Sequence, residues 1–250
     1  MLGICAATVW EIHPVLRSVR DVRRMDLGGV RAWRGQYSGG TVVVFRTGIG
    51  LKAATQAAET AIACGALTAL INTGVAGGLV TSLTAGDLVV PEILIAPGSP
   101  EPTRLSTDAS WTQRLRAVAA AAGLTTDAGP VVTWPDVLST AAEKHRAAAL
   151  YGATAVEMEG SALAAIAARR NIPFVSVRVI LDDANTHLPR FSRQRHPPPD
   201  AAAPTGGVSR PRLGEKISSF LTLALALQES RSALSRFFRV FGRDIPLKHV

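Results

Sequence analysis

The chain has 250 residues, 47% of them hydrophobic, which fits one large α/β domain or a domain with an appendage and excludes a disordered chain. The net charge of +8 is unevenly placed: residues 1–187 hold 16 Lys/Arg against 15 Asp/Glu, and residues 188–250 hold 11 against 4. The basic character therefore belongs to the C-terminal stretch, which has no interleaved Tyr or Trp for base stacking, so no nucleic-acid partner is expected.

Leu2–Ala7 opens the chain as a buried strand, and Glu11–Val22 follows as a helix. Thr41–Thr47 is a β-branched strand that runs into the turn Gly48-Ile49-Gly50. Ala53–Gly65 is a helix with Gly65 as its stop, and Ala69–Thr73 is a strand ending at Gly74. Leu88–Val90 and Ile93–Ile95 are strands divided by Pro91, and Trp111–Ala122 is a helix. Ala155–Met158 leads into the helix Glu159–Arg170, and Phe174–Leu181 is an apolar strand ending at Asp182-Asp183. Strands alternating with helices predict an α/β fold with a mixed, mainly parallel central sheet covered on both faces.

Pro197 to Pro211 reads as a flexible linker, and Arg212–Arg239 as a basic helix with Leu213, Ile217, Phe220 and Leu221 at helical spacing. The expected organisation is a catalytic domain over 1–187, a Pro-rich basic link over 188–211 and a basic helical extension over 212–250. No apolar run is long enough to span a membrane; the longest near the C-terminus, Phe220 to Leu227, is broken by Thr222. The opening segment lacks a basic leader, so no signal peptide and a cytoplasmic location are expected. Cys5 and Cys64 sit among apolar residues and are expected as two buried thiols rather than a disulfide. No Cys/His cluster has metal-ligand spacing, and no metal or other cofactor is expected.

In sheets of this kind ligands gather beyond the carboxyl ends of the strands, which makes the polar and glycine residues there the candidates for a site. Glu11 is a single acid in an apolar opening; alone it reads equally as a solvated acid at a helix N-terminus. The turns Thr47–Gly50 and Asn72–Leu79 bring glycines that let backbone N–H groups approach a sugar or an anion closely. Val156–Gly160 places Glu157 and Glu159 where a strand meets a helix, and a carboxylate there can accept both hydroxyls of a ribose. Arg178 and Asp182, four apart on one strand, are expected to point the same way, and a charge inside an apolar strand is costly unless paired or functional.

Taken in order, Glu11, TGIG at 47–50, NTGVAGGL at 72–79, GDLVVP at 86–91, VEMEG at 156–160, Arg178 and Asp182 resemble the methylthioadenosine/S-adenosylhomocysteine nucleosidases of the nucleoside phosphorylase superfamily. The resemblance runs from about Gly3 to Asn185. It implies a three-layer nucleoside phosphorylase-like domain, a nucleoside substrate and a homodimer in which the neighbouring subunit closes the 5′ end of the pocket. It further implies that Glu11 activates the attacking water and that Asp182 protonates the purine at N7. Arg178 is then the basic residue near the nucleophile, Met158 packs under the ribose, and Glu159 holds the 2′- and 3′-hydroxyls. Thr47, Gly48, Ile49, Val75, Ala76 and Gly77 line the sugar and base, and the segment Val132–Leu138, with Val137 and Leu138, reads the base. Val75 and Leu181 stand where these nucleosidases usually carry Ser, and Trp134-Pro135 departs from the small residues of their base loop.

The chemistry accounts for the set. Cleavage passes through a ribosyl cation, the purine leaves poorly until N7 is protonated, and a water on the opposite face must lose a proton, so two carboxylates are needed on opposite sides. Other readings stay open at this point: phosphate in place of water, a lipid-linked adenosyl substrate of the hopanoid-associated nucleosidase kind, or a nucleoside-binding protein without catalysis. A basic apolar C-terminal helix would suit peripheral membrane contact, but packing against the core or a second subunit is the preferred expectation.

Overall fold

In the computed structural model the sheet begins at β1 (Leu2–Ala6), whose five residues are all buried, followed by α1 (Val9–Leu16). The structure describes residues 1–37, 40–65, 67–98, 100–188 and 213–244, without the side chains of 213–222 and 244. β2 (Arg20–Leu27), β3 (Val30–Tyr37) and β4 (Gly40–Arg46) form an antiparallel run that joins β1 in parallel. After α2 (Leu51–Cys64) comes the ten-residue β5 (Ala69–Gly78), then β6 (Leu88–Val89), β7 (Ile93–Ala96), β8 (Thr103–Ser106) and α3 (Ala109–Ala121). The remainder is β9 (Thr126–Asp127), β10 (Val131–Thr133), α4 (Ala141–Tyr151), β11 (Ala155–Glu157), α5 (Gly160–Arg169), β12 (Phe174–Asp182) and α6 (Leu213–Asp244).

Among the described residues the twelve strands form one mixed sheet in the order β2-β3-β4-β1-β5-β11-β10-β7-β8, with β12 also on β5 and β6 and β9 beyond it. β5 is the junction. Its first half pairs with β1 and its length with β12, both parallel, while Gly77 and Gly78 at its end meet β11 antiparallel. Alternation along β1, β4 and β12 sends side chains to two cores. One face packs Ile4, Val44, Ile71 and Val177 against Ile12 and Val15 of α1, Leu115 of α3, and Phe237, Phe238 and Phe241 of α6. The other packs Cys5, Phe45 and Leu70 against Ala54, Ala58 and Ala61 of α2 and Leu163 and Ile166 of α5. A third, smaller cluster seats Ala147 and Tyr151 of α4 on Val132, Trp134 and Val156. The three-layer expectation is met.

Several expectations change. The helix expected over Glu11–Val22 stops at Leu16, and Arg20–Leu27 is instead a strand, mostly exposed, that pairs with β3. Gly65 does end α2 as expected, though in an extended conformation with φ −135°. Cys5 is buried but Cys64 is exposed at the end of α2. The Pro-rich stretch Pro197–Pro211 and the side chains of Leu213, Ile217, Phe220 and Leu221 lie outside the described residues. Among the described residues no helix is long and apolar enough to cross a membrane.

Candidate active site

The site is built where β5, β11 and β12 end. Thr8 caps α1, and its side chain and backbone N–H both donate to Glu11 Oε2, at 2.7 and 2.8 Å. Glu11 Oε1 accepts from the backbone N–H of Val75 at 3.0 Å. This capping box makes Glu11 more than a helix-terminal acid: it is 4% exposed and its carboxylate is held against β5. Gly74 is required beneath it, because at φ +150° an added Cβ would stand 2.4 Å from Glu11 Oε1 and 2.7 Å from Arg178 Nη1. Arg178 and Glu11 thus flank the space left open by Gly74.

Arg178 is buried and paired with Glu157, and its Nη2 lies 3.7 Å from Glu159 Oε2. Burial pulls the guanidinium down, but Glu157, Glu159 and Glu11 together hold it above its ordinary range. Glu157 also accepts from Thr133 Oγ1 and from the backbone N–H groups of Glu159 and Gly160. Its oxygens are therefore engaged by the strand-to-helix turn and by Arg178, although the residue also lines the site cavity. Glu159 has fewer ties: Oε1 accepts from Gly50 N–H at 2.8 Å. Burial, then the neighbouring Glu157, push its carboxyl up to about 7, against the pull of Arg178 and Gly50.

β12 does not alternate cleanly. Arg178 lies opposite Gly74, but the register shifts between Ile180 and Asp182, and Asp182 lies opposite Gly77 with Leu181 as the extra residue. The expectation that Arg178 and Asp182 share a direction fails on this bulge. Arg178 turns to the glutamates, whereas Asp182 pairs with Lys144. Burial raises the Asp182 carboxyl above the usual carboxylate range, with Lys144 opposing. Its neighbour Asp183 is more open and is occupied by Asn185 and Thr186, whose donors outweigh burial and lower it.

Glu11, Glu159 and Asp182 open into one cavity of about 440 Å³, within the range of small-molecule sites. Of the residues singled out in the sequence, Ile49, Val75, Ala76, Gly77, Val137, Leu138, Glu157 and Met158 line it too. Arg178 stands behind the glutamates and is not part of the wall. Thr47 and Gly48 are not part of it either. Their N–H groups donate to Ala6 and Ala7, extending the strand pairing, and they border a separate surface depression with Gln56 and Thr60. The turn acts instead through Ile49 in the wall and the Gly50 N–H on Glu159.

Sequence reasoning missed five contributors. Thr8 and Leu188 line the cavity, and so do Leu223 and Leu227 of α6. α6 is locked in register by Ser230 Oγ, 2.9 Å from the carbonyl oxygen of Ile180, just before the bulge. Lys144 was also missed; its signal was the capping box Thr140–Glu143 that starts α4.

The family model of the phosphorylase superfamily matches residues 2–196. The chain belongs to that superfamily. It is 30% identical over 208 residues to the 5′-methylthioadenosine/S-adenosylhomocysteine nucleosidase of Shewanella frigidimarina, covering 75% of this chain and 88% of that one. Among solved structures it resembles a mutant of the Helicobacter pylori nucleosidase with 5′-methylthioadenosine in the active site, at TM-score 0.75 and 20% identity, over 94% of this chain and 95% of the other. It also resembles the futalosine hydrolase of Helicobacter pylori, at TM-score 0.73 and 21% identity, over 94% and 96%. These two likenesses show the superfamily fold.

Proposed function

We propose that the chain hydrolyses the N-glycosidic bond of a purine nucleoside, with adenine nucleosides such as methylthioadenosine or S-adenosylhomocysteine as its substrates. The observation that carries this is the placement of two carboxylates along β5 in one cavity: Glu11 on the Val75 N–H and Asp182 beside Gly77. Two residues along a strand put these stations roughly 7 Å apart, room for a C1′–N9 bond between them. Glu11, held by Thr8 and Val75, accepts the proton of a water attacking C1′. Asp182, raised by burial, gives a proton to N7 as the bond breaks. Glu159 accepts the ribose hydroxyls and places negative charge near the ribosyl cation, and Met158 packs beside the sugar.

Water is favoured over phosphate on electrostatic grounds. The nucleophile's side of the cavity carries Glu11, Glu157 and Glu159, and the buried cation among them, Arg178, is already paired. A phosphate dianion entering there would meet carboxylates rather than a free cation. The apolar mouth supports a homodimer as well: Ile49 and Val137 line the cavity yet are 62% and 49% exposed, the arrangement expected if a second subunit covers the 5′ end. A cytoplasmic location and a catalytic unit made of residues 1–187 together with α6 complete the proposal.

The test is product identification. The protein is incubated with methylthioadenosine, S-adenosylhomocysteine, adenosine and inosine, with and without phosphate. Free adenine and a reducing sugar, formed at a rate independent of phosphate, are expected. A ribose 1-phosphate product would replace hydrolysis by phosphorolysis, and tight binding without turnover would make the chain a nucleoside binder.

A further inference from the structure

Lys144 is a lysine with no exposed surface, on a helix whose other charged residues, Glu143, His145 and Arg146, are not fully buried. Burying an ammonium is costly unless all of its hydrogens are matched. Here they are: Nζ donates to Asp182 Oδ2, to the carbonyl of Asp183 at 2.5 Å and to the carbonyl of Thr186 at 3.1 Å. Three acceptors use all three N–H bonds of an ammonium and leave no donor facing the nitrogen, which fits the charged form. The capping box of Thr140 and Glu143 and the seat of Ala147 and Tyr151 fix α4 on the sheet. The lysine is thereby delivered to the bulge at the end of β12 from 38 residues away.

We propose that Lys144 is the positioning residue of the acid: it ties down Oδ2 of Asp182, leaves Oδ1 as the oxygen that carries the proton toward the base, and sets the strength of that acid by its charge. This rests on the reading of Asp182 as the N7 donor. Among the described residues Oδ1 has no hydrogen-bond partner, and Asp182 opens into the cavity. In the step itself the Oδ1–H bond breaks and the proton goes to N7. The C1′–N9 pair passes to the purine, and the carboxylate left behind is matched by the ammonium already in place. Without Lys144 that carboxylate would be left buried beside the neutral backbone of Gly77, with only the like charge of Asp183 near it. The acid would then be too weak to release its proton readily. The charged groups facing Asp182 are Lys144 from α4 and Asp183 from its own strand end; β5 presents backbone there.

The test separates acid tuning from packing. Lys144→Met, Lys144→Arg and Asp182→Asn are compared on an adenine nucleoside and on p-nitrophenyl riboside, whose phenolate leaves without protonation. Lys144→Met is expected to lower kcat on the nucleoside by at least about tenfold while sparing the nitrophenyl substrate. The alkaline limb of its pH profile should move up by about one to three units, the range an adjacent opposite charge controls. Lys144→Arg should return the limb toward its original place. Equal losses on both substrates, or an unmoved limb, would overturn the proposal in favour of packing alone. Should Lys144→Met fail to fold, ¹⁵N spectra of the wild-type protein decide, since the chain has four lysines. A slowly exchanging ammonium signal from Lys144 that shifts in Asp182→Asn is expected, and a neutral amine there would overturn the proposal. If Asp182→Asn itself spares nucleoside turnover, the acid assignment fails; if it abolishes turnover while Lys144→Met changes nothing, the inference on Lys144 fails alone.

Discussion

Two regions of the molecule carry charge in opposite ways. At the ends of β5, β11 and β12, six charged side chains are buried, and each is held: Glu11 by Thr8 and Val75, Glu157 by Arg178, Glu159 by Gly50, Asp182 by Lys144. On the outside, Arg17 and Arg20 face Arg231, Arg239 and Arg243 of α6 across a cavity of about 850 Å³. Among the described residues none of these five arginines makes a salt bridge. The outer cavity is nearly twice the size of the inner one, yet it lacks shaped apolar walls and held carboxylates. Buried charge has to be placed, and placement is what chemistry uses; solvated charge needs no partner and commits the fold to little.

The largest effect that follows is on the reaction. Asp182→Asn is expected to keep the fold and lower kcat for adenine nucleosides by about 10²–10⁴-fold, the usual worth of a positioned acid. Asp183→Asn is the control, since Asp183 is spent on Thr186 and Asn185 and is expected to stay within a few-fold of wild type. Kinetics on the two variants break the comparison if the neighbour matters more than the buried residue.

The second effect is on stability and concerns the inner side of α6, the helix that bears outer arginines. Phe237 is fully buried against Phe238 and Phe241, with ring centroids 5.1 and 6.2 Å away. Phe237→Ala should cost about 3–5 kcal/mol, read from denaturant unfolding. A cost under about 1 kcal/mol would mean that α6 is an appendage and not part of the core. Its leucines reach the cavity, so the same helix ties fold to site.

How far this contrast could be read from sequence depends on the range of the forces involved. β1, β4 and β12 were legible because buried parallel strands are continuous apolar runs. Glu11, Glu159 and Asp182 were legible because they interrupt such runs. The β2–β3 hairpin was hidden by Arg20, Arg23 and Arg24, which mask any apolar alternation on an exposed edge. Its signal was Gly28-Gly29, both at positive φ, closing a two-residue turn. α4 was hidden because an Ala-rich helix has little periodicity, and Lys144 looked like any solvated lysine. Only the fold brings it to Asp182. The bulge at Leu181 was likewise illegible, so strict alternation misdirected the reading of Arg178.

A third, smaller effect belongs to Glu159. Its pKa in the fold is about 7, above the ordinary 4.5, so the native state favours the protonated form. The stability drawn from this group is complete below about 4.5 and is lost as pH rises through about 7. Glu159→Gln should flatten that part of the stability profile. On substrates the sign reverses, because the ionised form is the better acceptor of two hydroxyls: KM for ribosides should fall as pH rises through about 7 in the wild type and stay flat in the variant. Damage to 2′-deoxyribosides should be much less, since one hydroxyl is already gone. Equal damage to both sugars would remove the diol role.

The smallest effect is expected at the outer arginines. Arg239 is exposed, is unpaired among the described residues, and lies on the rim of the larger cavity. Removing a charge of this kind gives up little Coulomb energy in water and frees a long side chain, so stability should move by no more than about 0.5 kcal/mol. Activity on nucleosides should stay at the wild-type level for Arg239→Gln and for the double variant with Arg243→Gln. What should change is behaviour toward anionic surfaces. Arginines close to one another attract such surfaces at low salt, and the attraction is screened over about 10 Å at 0.1 M. Retention of the full chain on anionic vesicles should therefore be weak, fall with salt, and fall further in the double variant. A drop in kcat, or an unfolding midpoint displaced as far as that of Phe237→Ala, would show that these charges are placed like the inner ones and would erase the contrast between the two regions.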